Sequence, residues 1–132
     1  MQKILLIHPD LVLRKELVFA LQHSGFQVVG TAMDDQALAE INRSHPDLIV
    51  MAEERPRLKA DELCIRIREV CQAPIIILGQ DQEEAAGIEF LEMGADTYLT
   101  SPLNMRELLA RVRSLLRRAK ANTTTQLEKE DS

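Results

Sequence analysis

The side chains able to move protons or hold a metal gather in two short stretches, His8-Pro9-Asp10 and Ala52-Glu53-Glu54. His8 with Glu54 offers imidazole plus carboxylate, which is transition-metal ligand chemistry. Two ligands without supporting spacing make no site, so no metal or other cofactor is expected. Asp10 precedes a segment of helical periodicity and is better used as its N-cap. Glu53 directly follows a strand-like run, and strand alternation points it away from Ala52. Cys64 and Cys71 lie on one face of a helix, about 10 Å apart along the axis, too far to close a disulfide. They are read as buried thiols in a reducing cytoplasm. No phosphate-cradling glycine loop or catalytic triad is present, so no enzyme is expected.

The elements that position these residues follow from hydrophobic pattern. Short apolar runs at 4–7, 26–29, 48–51, 75–78 and 98–99 read as strands, the first too short for a helix and apolar throughout, as in a sheet covered on both faces. Between them lie amphipathic segments. The first carries Leu13, Leu17, Ala20 and Leu21 at helical spacing and stops at Gly25. Helices follow at 35–43, with Ala37, Leu38 and Ile41 inward, and at 61–71, burying Leu63, Ile67 and Val70. A less regular helix covers 82–93, ending at Gly94, and the clearest covers 104–120, with Leu108, Leu109, Val112, Leu115 and Leu116 in one stripe. Strict alternation implies parallel strands joined by right-handed crossovers: an α/β, doubly wound five-stranded parallel sheet with five helices. Function in such sheets sits at the carboxyl ends of the strands, which here means His8, Pro9, Ala52, Glu53, Gly79 and Ser101.

Composition sets the bounds. The chain has 132 residues, 45% of them apolar and 3% aromatic, with a net charge of −5. That is one domain, residues 1–120, with a core of aliphatic side chains. Residues 121–132 lose apolar periodicity and read as a disordered tail or the start of a linker. No apolar run reaches the roughly 18 residues of a membrane span, and no signal-peptide cleavage site opens the chain. The acidity argues against direct nucleic-acid binding. The basic residues Arg106, Arg111, Arg113, Arg117, Arg118 and Lys120 complement the dipole of the last helix and solvate its outer face, without the interleaved aromatics that stack on bases.

The strand-end positions are also where the chain resembles the receiver domains of response regulators, over about residues 2–120. Lys3-Ile-Leu-Leu-Ile7 resembles the family's first strand, Pro46-Asp-Leu-Ile-Val50 the approach to its phosphoacceptor, and Pro74-Ile-Ile-Ile-Leu78 its fourth strand. Gly94-Ala-Asp-Thr-Tyr-Leu99, Glu107-Leu-Leu-Ala-Arg-Val-Arg113 and Leu116-Arg-Arg118 resemble the OmpR/PhoB-type branch. The resemblance implies a flavodoxin-like fold. It also implies a phosphorylation site of two acids after the first strand, an aspartate after the third, a hydroxyl after the fourth and a lysine after the fifth. The acids hold magnesium, and the hydroxyl and the lysine bind the phosphoryl oxygens.

Carried over residue by residue, none of these is present. The acid pair falls on His8 and Pro9, the aspartate on Ala52, the hydroxyl on Gly79 and the lysine on Ser101. Joint loss of the anions and the balancing cation leaves a near-neutral pocket with no unpaired buried charge. The expected relatives are the aspartate-less pseudo-receivers. Ser101-Pro102 stands where the family keeps a cis peptide, and Ala60 replaces a glycine usual in the loop after the third strand, predicting a different loop shape. Tyr98 sits where the family has an aromatic that turns inward on activation, and with Gly79 beneath it the ring is expected in one fixed orientation.

The output expected from the resemblance is a homodimer through the fourth helix, fifth strand and fifth helix. Asp96, Glu107, Arg111 and Arg118 retain charges of that face, and Ile88, Leu91 and Leu109 are its apolar candidates. Thr97 replaces a second acid and Gly87 a base, so Glu107 lacks its usual partner. The expected function is a phosphorylation-independent receiver module in transcription regulation, with a DNA-binding domain outside this chain. An adaptor docking to a kinase or another signalling partner is the alternative, and a small flavodoxin-like enzyme or cofactor binder has no motif to support it.

Overall fold

The computed structural model describes residues 1–53, 58–80 and 84–130, the backbone alone for 58, 59, 84 and 122–130. Strands and helices alternate as β1 (Lys3–Ile7), α1 (Leu11–His23), β2 (Gln27–Thr31), α2 (Asp35–Ser44), β3 (Leu48–Ala52), α3 (Leu58–Val70), β4 (Ile75–Leu78), α4 (Glu84–Glu92), β5 (Thr97–Leu99) and α5 (Met105–Glu130). All strands are parallel, in the order β2-β1-β3-β4-β5. The order reverses between β1 and β3, which opens a crevice at their carboxyl ends.

β1, β3 and β4 bury nearly every side chain, because helices cover both faces of the sheet. The pleat deals those side chains alternately into two half-cores. Ile4, Leu6, Leu48, Val50, Ile76 and Leu78 meet Leu21 of α1 and Leu108, Val112, Leu115 and Leu116 of α5. Leu5, Ile7, Ile49, Met51, Ile75 and Ile77 meet Ala37, Ile41, Leu63, Ile67 and Phe90 of α2, α3 and α4. Leu109 of the predicted α5 stripe is only partly buried, at the edge of the first half-core.

Local signals behave as their chemistry demands. The Asp10 carboxylate accepts from the Leu13 N–H at 3.0 Å, capping α1, and Gly25 ends it at φ +97°. The Ser101–Pro102 peptide is cis.

Several expectations need correction. Val70 is exposed, because it closes α3 on the outer face, and Leu13 is half-exposed at the open edge of α1. Ala60 lies inside α3, fully buried, and not in the preceding loop, whose residues 54–57 are outside the described part. The predicted start of α4 at Gln82 also falls outside it. α5 stays helical beyond Lys120, to Glu130, where composition pointed to a disordered tail. No glycine or proline interrupts that stretch, and extending an existing helix needs no new nucleus.

A latch fastens the far end of the sheet. Arg68 on α3 donates to the carbonyls of Gly94 (3.0 Å), Cys71 (2.8 Å) and Ala73 (2.8 Å) and pairs with Asp96 at 3.3 Å. Asp96 also accepts from the Ile75 N–H at 2.8 Å. This charge, expected on a dimer face, is thus engaged within the chain.

Candidate functional site

The carboxyl ends of β1, β3, β4 and β5 deliver His8, Pro9, Ala52, Glu53, Gly79 and Ser101 to one cavity of about 440 Å³. Backbone pairing carries the sheet to this rim: the Glu53 N–H donates to Leu78 O (2.8 Å), and the Gly79 N–H to Leu99 O (2.6 Å). The positions singled out from the sequence are therefore neighbours in space. Ala52 contributes a methyl group. The His8 Nδ1 accepts from the Asp10 N–H at 3.0 Å. The Ser101 hydroxyl donates to Gly79 O at 2.9 Å.

Glu53 departs most from its expectation. It does not turn away from the site: it is only 2% exposed and lines the same cavity as Ala52. β3 ends at Ala52, so the pleat no longer sets the direction of the next side chain. Its Oε2 accepts from the Tyr98 hydroxyl at 2.6 Å and from the Gln80 N–H at 2.9 Å. The pocket expected to be near-neutral thus holds a buried carboxyl group, which is partnered. The carboxyl group is kept by these two hydrogen bonds.

Tyr98 is held on three sides. Its ring stacks on Phe90 with centroids 5.8 Å apart and planes 21° apart, and its hydroxyl is tied to Glu53. Beneath it, a Cβ on Gly79 would lie 2.0 Å from Cζ and 2.1 Å from the hydroxyl oxygen. Real atoms do not approach so closely, so this ring position exists only with glycine at 79. Gly87 on α4 adds a second gap, where a Cβ would come within 3.3 Å of Cδ1. The role of Gly87 and the anchor at Glu53 escaped sequence reasoning. The available signal was slight: two glycines, at 79 and 87, upstream of the chain's sole tyrosine.

The cavity is mainly apolar away from this network. Leu13, Leu17 and Ala20 of α1, Leu78 and Leu99 of the sheet, and Leu103 and Met105 before and at the start of α5 form its walls. Among the described residues no Lys or Arg lines it. Among the described residues no cluster of three metal-ligating side chains occurs, and Glu54 lies outside them. Burial raises the Cys64 thiol pKa above its ordinary value of 9.0, against a smaller opposing pull from Arg68. Both cysteines are free.

The other expected face is laid out on α4 and α5. Ile88 and Leu91 are 49% and 47% exposed, and Glu107, Arg111 and Arg118 are exposed. Glu107 has no ion pair among the described residues; its backbone N–H caps α5 through Asn104 Oδ1 at 3.1 Å.

A five-stranded parallel sheet of this order, with a cavity at its switch point, defines a flavodoxin-like α/β domain. Comparison with known proteins makes the assignment specific: the profile of the response regulator receiver domain matches residues 4–113, and the chain belongs to that family. It is 35% identical to a probable transcriptional regulator ycf27 of Porphyridium aerugineum (96% of this chain, 53% of that protein). It is 36% identical to the transcriptional regulatory protein AfsQ1 of Streptomyces coelicolor (94% and 55%). Among solved structures, a two-component response regulator from Clostridium difficile superposes with a TM-score of 0.83 at 30% identity, covering 89% of this chain and 98% of that one. The BeF3-activated receiver domain of Klebsiella pneumoniae RstA gives 0.81 at 30% (88% and 99%). The chain spans about half the length of the curated relatives it matches. No helix among the described residues is long and apolar enough to cross a membrane.

Proposed function

We propose that this chain is the receiver of a transcription regulator that signals without phosphorylation, its switch tyrosine held permanently inward. The observation that carries this reading is Tyr98, whose hydroxyl is bonded to buried Glu53 in space that only Gly79 leaves open. No phosphoryl group is needed to draw that ring in. The phosphoacceptor position is the methyl of Ala52. Magnesium, which the family's chemistry requires, asks for near-octahedral oxygen ligands. Among the described residues the rim supplies one carboxylate, Glu53, with Oε2 already committed, so the donor set does not fit and no phosphoryl transfer is derived.

Output then passes through a surface, and the α4–β5–α5 face supports a two-fold dimer. Ile88 and Leu91 supply exposed apolar area, and exposed Glu89 and Glu92 on α4 complement Arg111 and Arg118 on α5. Exposed ion pairs contribute only about 0–1 kcal/mol each, so the apolar contacts carry the affinity. A DNA-binding domain in the half of the regulator outside this chain would read out the dimer. The adaptor reading draws on the exposed Leu11, Val12 and Phe19 of α1.

The test is the solution mass by light scattering over a concentration series, with no phosphate donor. A dimer weakened by Arg111→Glu is the expected result. A monomer at every concentration overturns the dimer and favours the adaptor.

A further inference from the structure

We infer that the cavity at the strand ends binds a small, largely apolar molecule carrying a hydrogen-bond donor or a positive charge, and that this molecule is the signal standing in for phosphate. The inference rests on the phosphorylation-independent reading above and names what regulates the same site.

Size comes first. A volume of about 440 Å³ lies within the range of pockets that enclose small organic ligands. Such pockets combine apolar walls with a few placed polar groups, and this one does: Leu17, Leu103 and Met105 line it together with Glu53. The side walls come from α1 and the β5–α5 connection, so an occupant would touch two helices as well as the rim.

Charge selects the ligand. Among the described lining residues there are two carboxylates, Glu16 and Glu53, and no Lys or Arg, a balance that favours a cation or a neutral donor over an anion. Glu53 adds a directional demand. Both its hydrogen bonds end on Oε2, and none reaches Oε1. An ionised carboxylate has acceptor capacity on both oxygens, and leaving it unused at 2% exposure is costly. An amine, amidine or ring N–H entering the cavity would satisfy that oxygen. Glu53 also holds the Tyr98 hydroxyl, so the ligand would act on the switch residue through a shared carboxylate.

The experiment uses the whole chain, isotopically labelled, titrated separately with indole, benzamidine, benzoate and inorganic phosphate while amide resonances are followed. Indole and benzamidine should give saturable shifts centred on His8, Leu17, Gly79, Leu99 and Met105, with dissociation constants of about 1 mM or tighter. Benzoate and phosphate should give none at equal concentration. Glu53→Gln should weaken benzamidine about tenfold and indole much less, and Ala20→Phe should abolish both by filling the cavity. If either variant fails to fold, the wild-type map still decides. Absent or non-saturable shifts, shifts centred elsewhere, or equal binding of benzoate overturn the inference. A parallel titration with magnesium and fluoroberyllate separates the two readings. Shifts at Ala52 and Glu53 there would sink the phosphorylation-independent reading. Silence there, with no response to indole or benzamidine, would sink the ligand alone.

Discussion

Restoring a single methyl group beneath Tyr98 should release it. In Gly79→Ala the new Cβ would fall 2.0 Å from Tyr98 Cζ and 2.6 Å from Cε1, so the ring must leave. Leaving breaks the 2.6 Å bond to Glu53, a hydrogen bond to a charged group that contributes roughly 1.5–3 kcal/mol. It also breaks the stack on Phe90, about 0.5–1.5 kcal/mol. The lower backbone entropy of alanine in the unfolded chain offsets about 0.4–1 kcal/mol. The net expected destabilisation is therefore about 1–4 kcal/mol, read as a lower urea midpoint at unchanged slope. The molecule supplies its own probe, because it has one tyrosine and no tryptophan. Phenol emission is quenched by a bonded carboxylate, so fluorescence should rise in the variant. A cycle with Tyr98→Leu completes the argument. Without the ring, Gly79→Ala should cost little, giving a coupling of at least about 1 kcal/mol. Wild-type stability and emission in Gly79→Ala, or additive costs in the cycle, would refute the packing argument.

Two further outcomes follow from the structure. Arg68→Met keeps the aliphatic stem but removes three bonds to carbonyls and the contact with Asp96, so equilibrium unfolding should show a loss of about 2–4 kcal/mol. The raised pKa of Cys64 has a signed consequence: its stabilisation is fully present below the ordinary thiol value of 9.0 and declines as pH rises beyond it. Denaturant midpoints from pH 8 to 10 should therefore fall more steeply for the native protein than for Cys64→Val.

Much of this architecture was legible because its signals are local. Continuous apolar runs marked β1, β3 and β4, Asp10 marked the cap of α1, and Gly25 its end. Alternation then fixed the parallel sheet and gathered His8, Ala52, Gly79 and Ser101 at one rim. What escaped depends on the third dimension. Glu53 sits one residue past a strand, where period-two logic ends, and its partner Tyr98 is 45 positions away. Gly87 gained meaning only once α4 was seen against the ring. Val70 obeyed helical spacing yet fell on the solvent side, because periodicity fixes a stripe but not its width. The latch around Arg68 joins carbonyls, which sequence does not distinguish.

The sheet also works as a partition. Its two half-cores share strands but no side chains, so substitutions in one should leave the energetics of the other nearly additive. That independence ends at the rim. Tyr98 packs against the layer of α2, α3 and α4, while Leu17, Leu103 and Met105 pack against the layer of α1 and α5. The cavity opens at the seam between them, joined to Tyr98 through Glu53. Side chains of both layers border it, Ala52 from one and Leu17, Leu78 and Leu99 from the other.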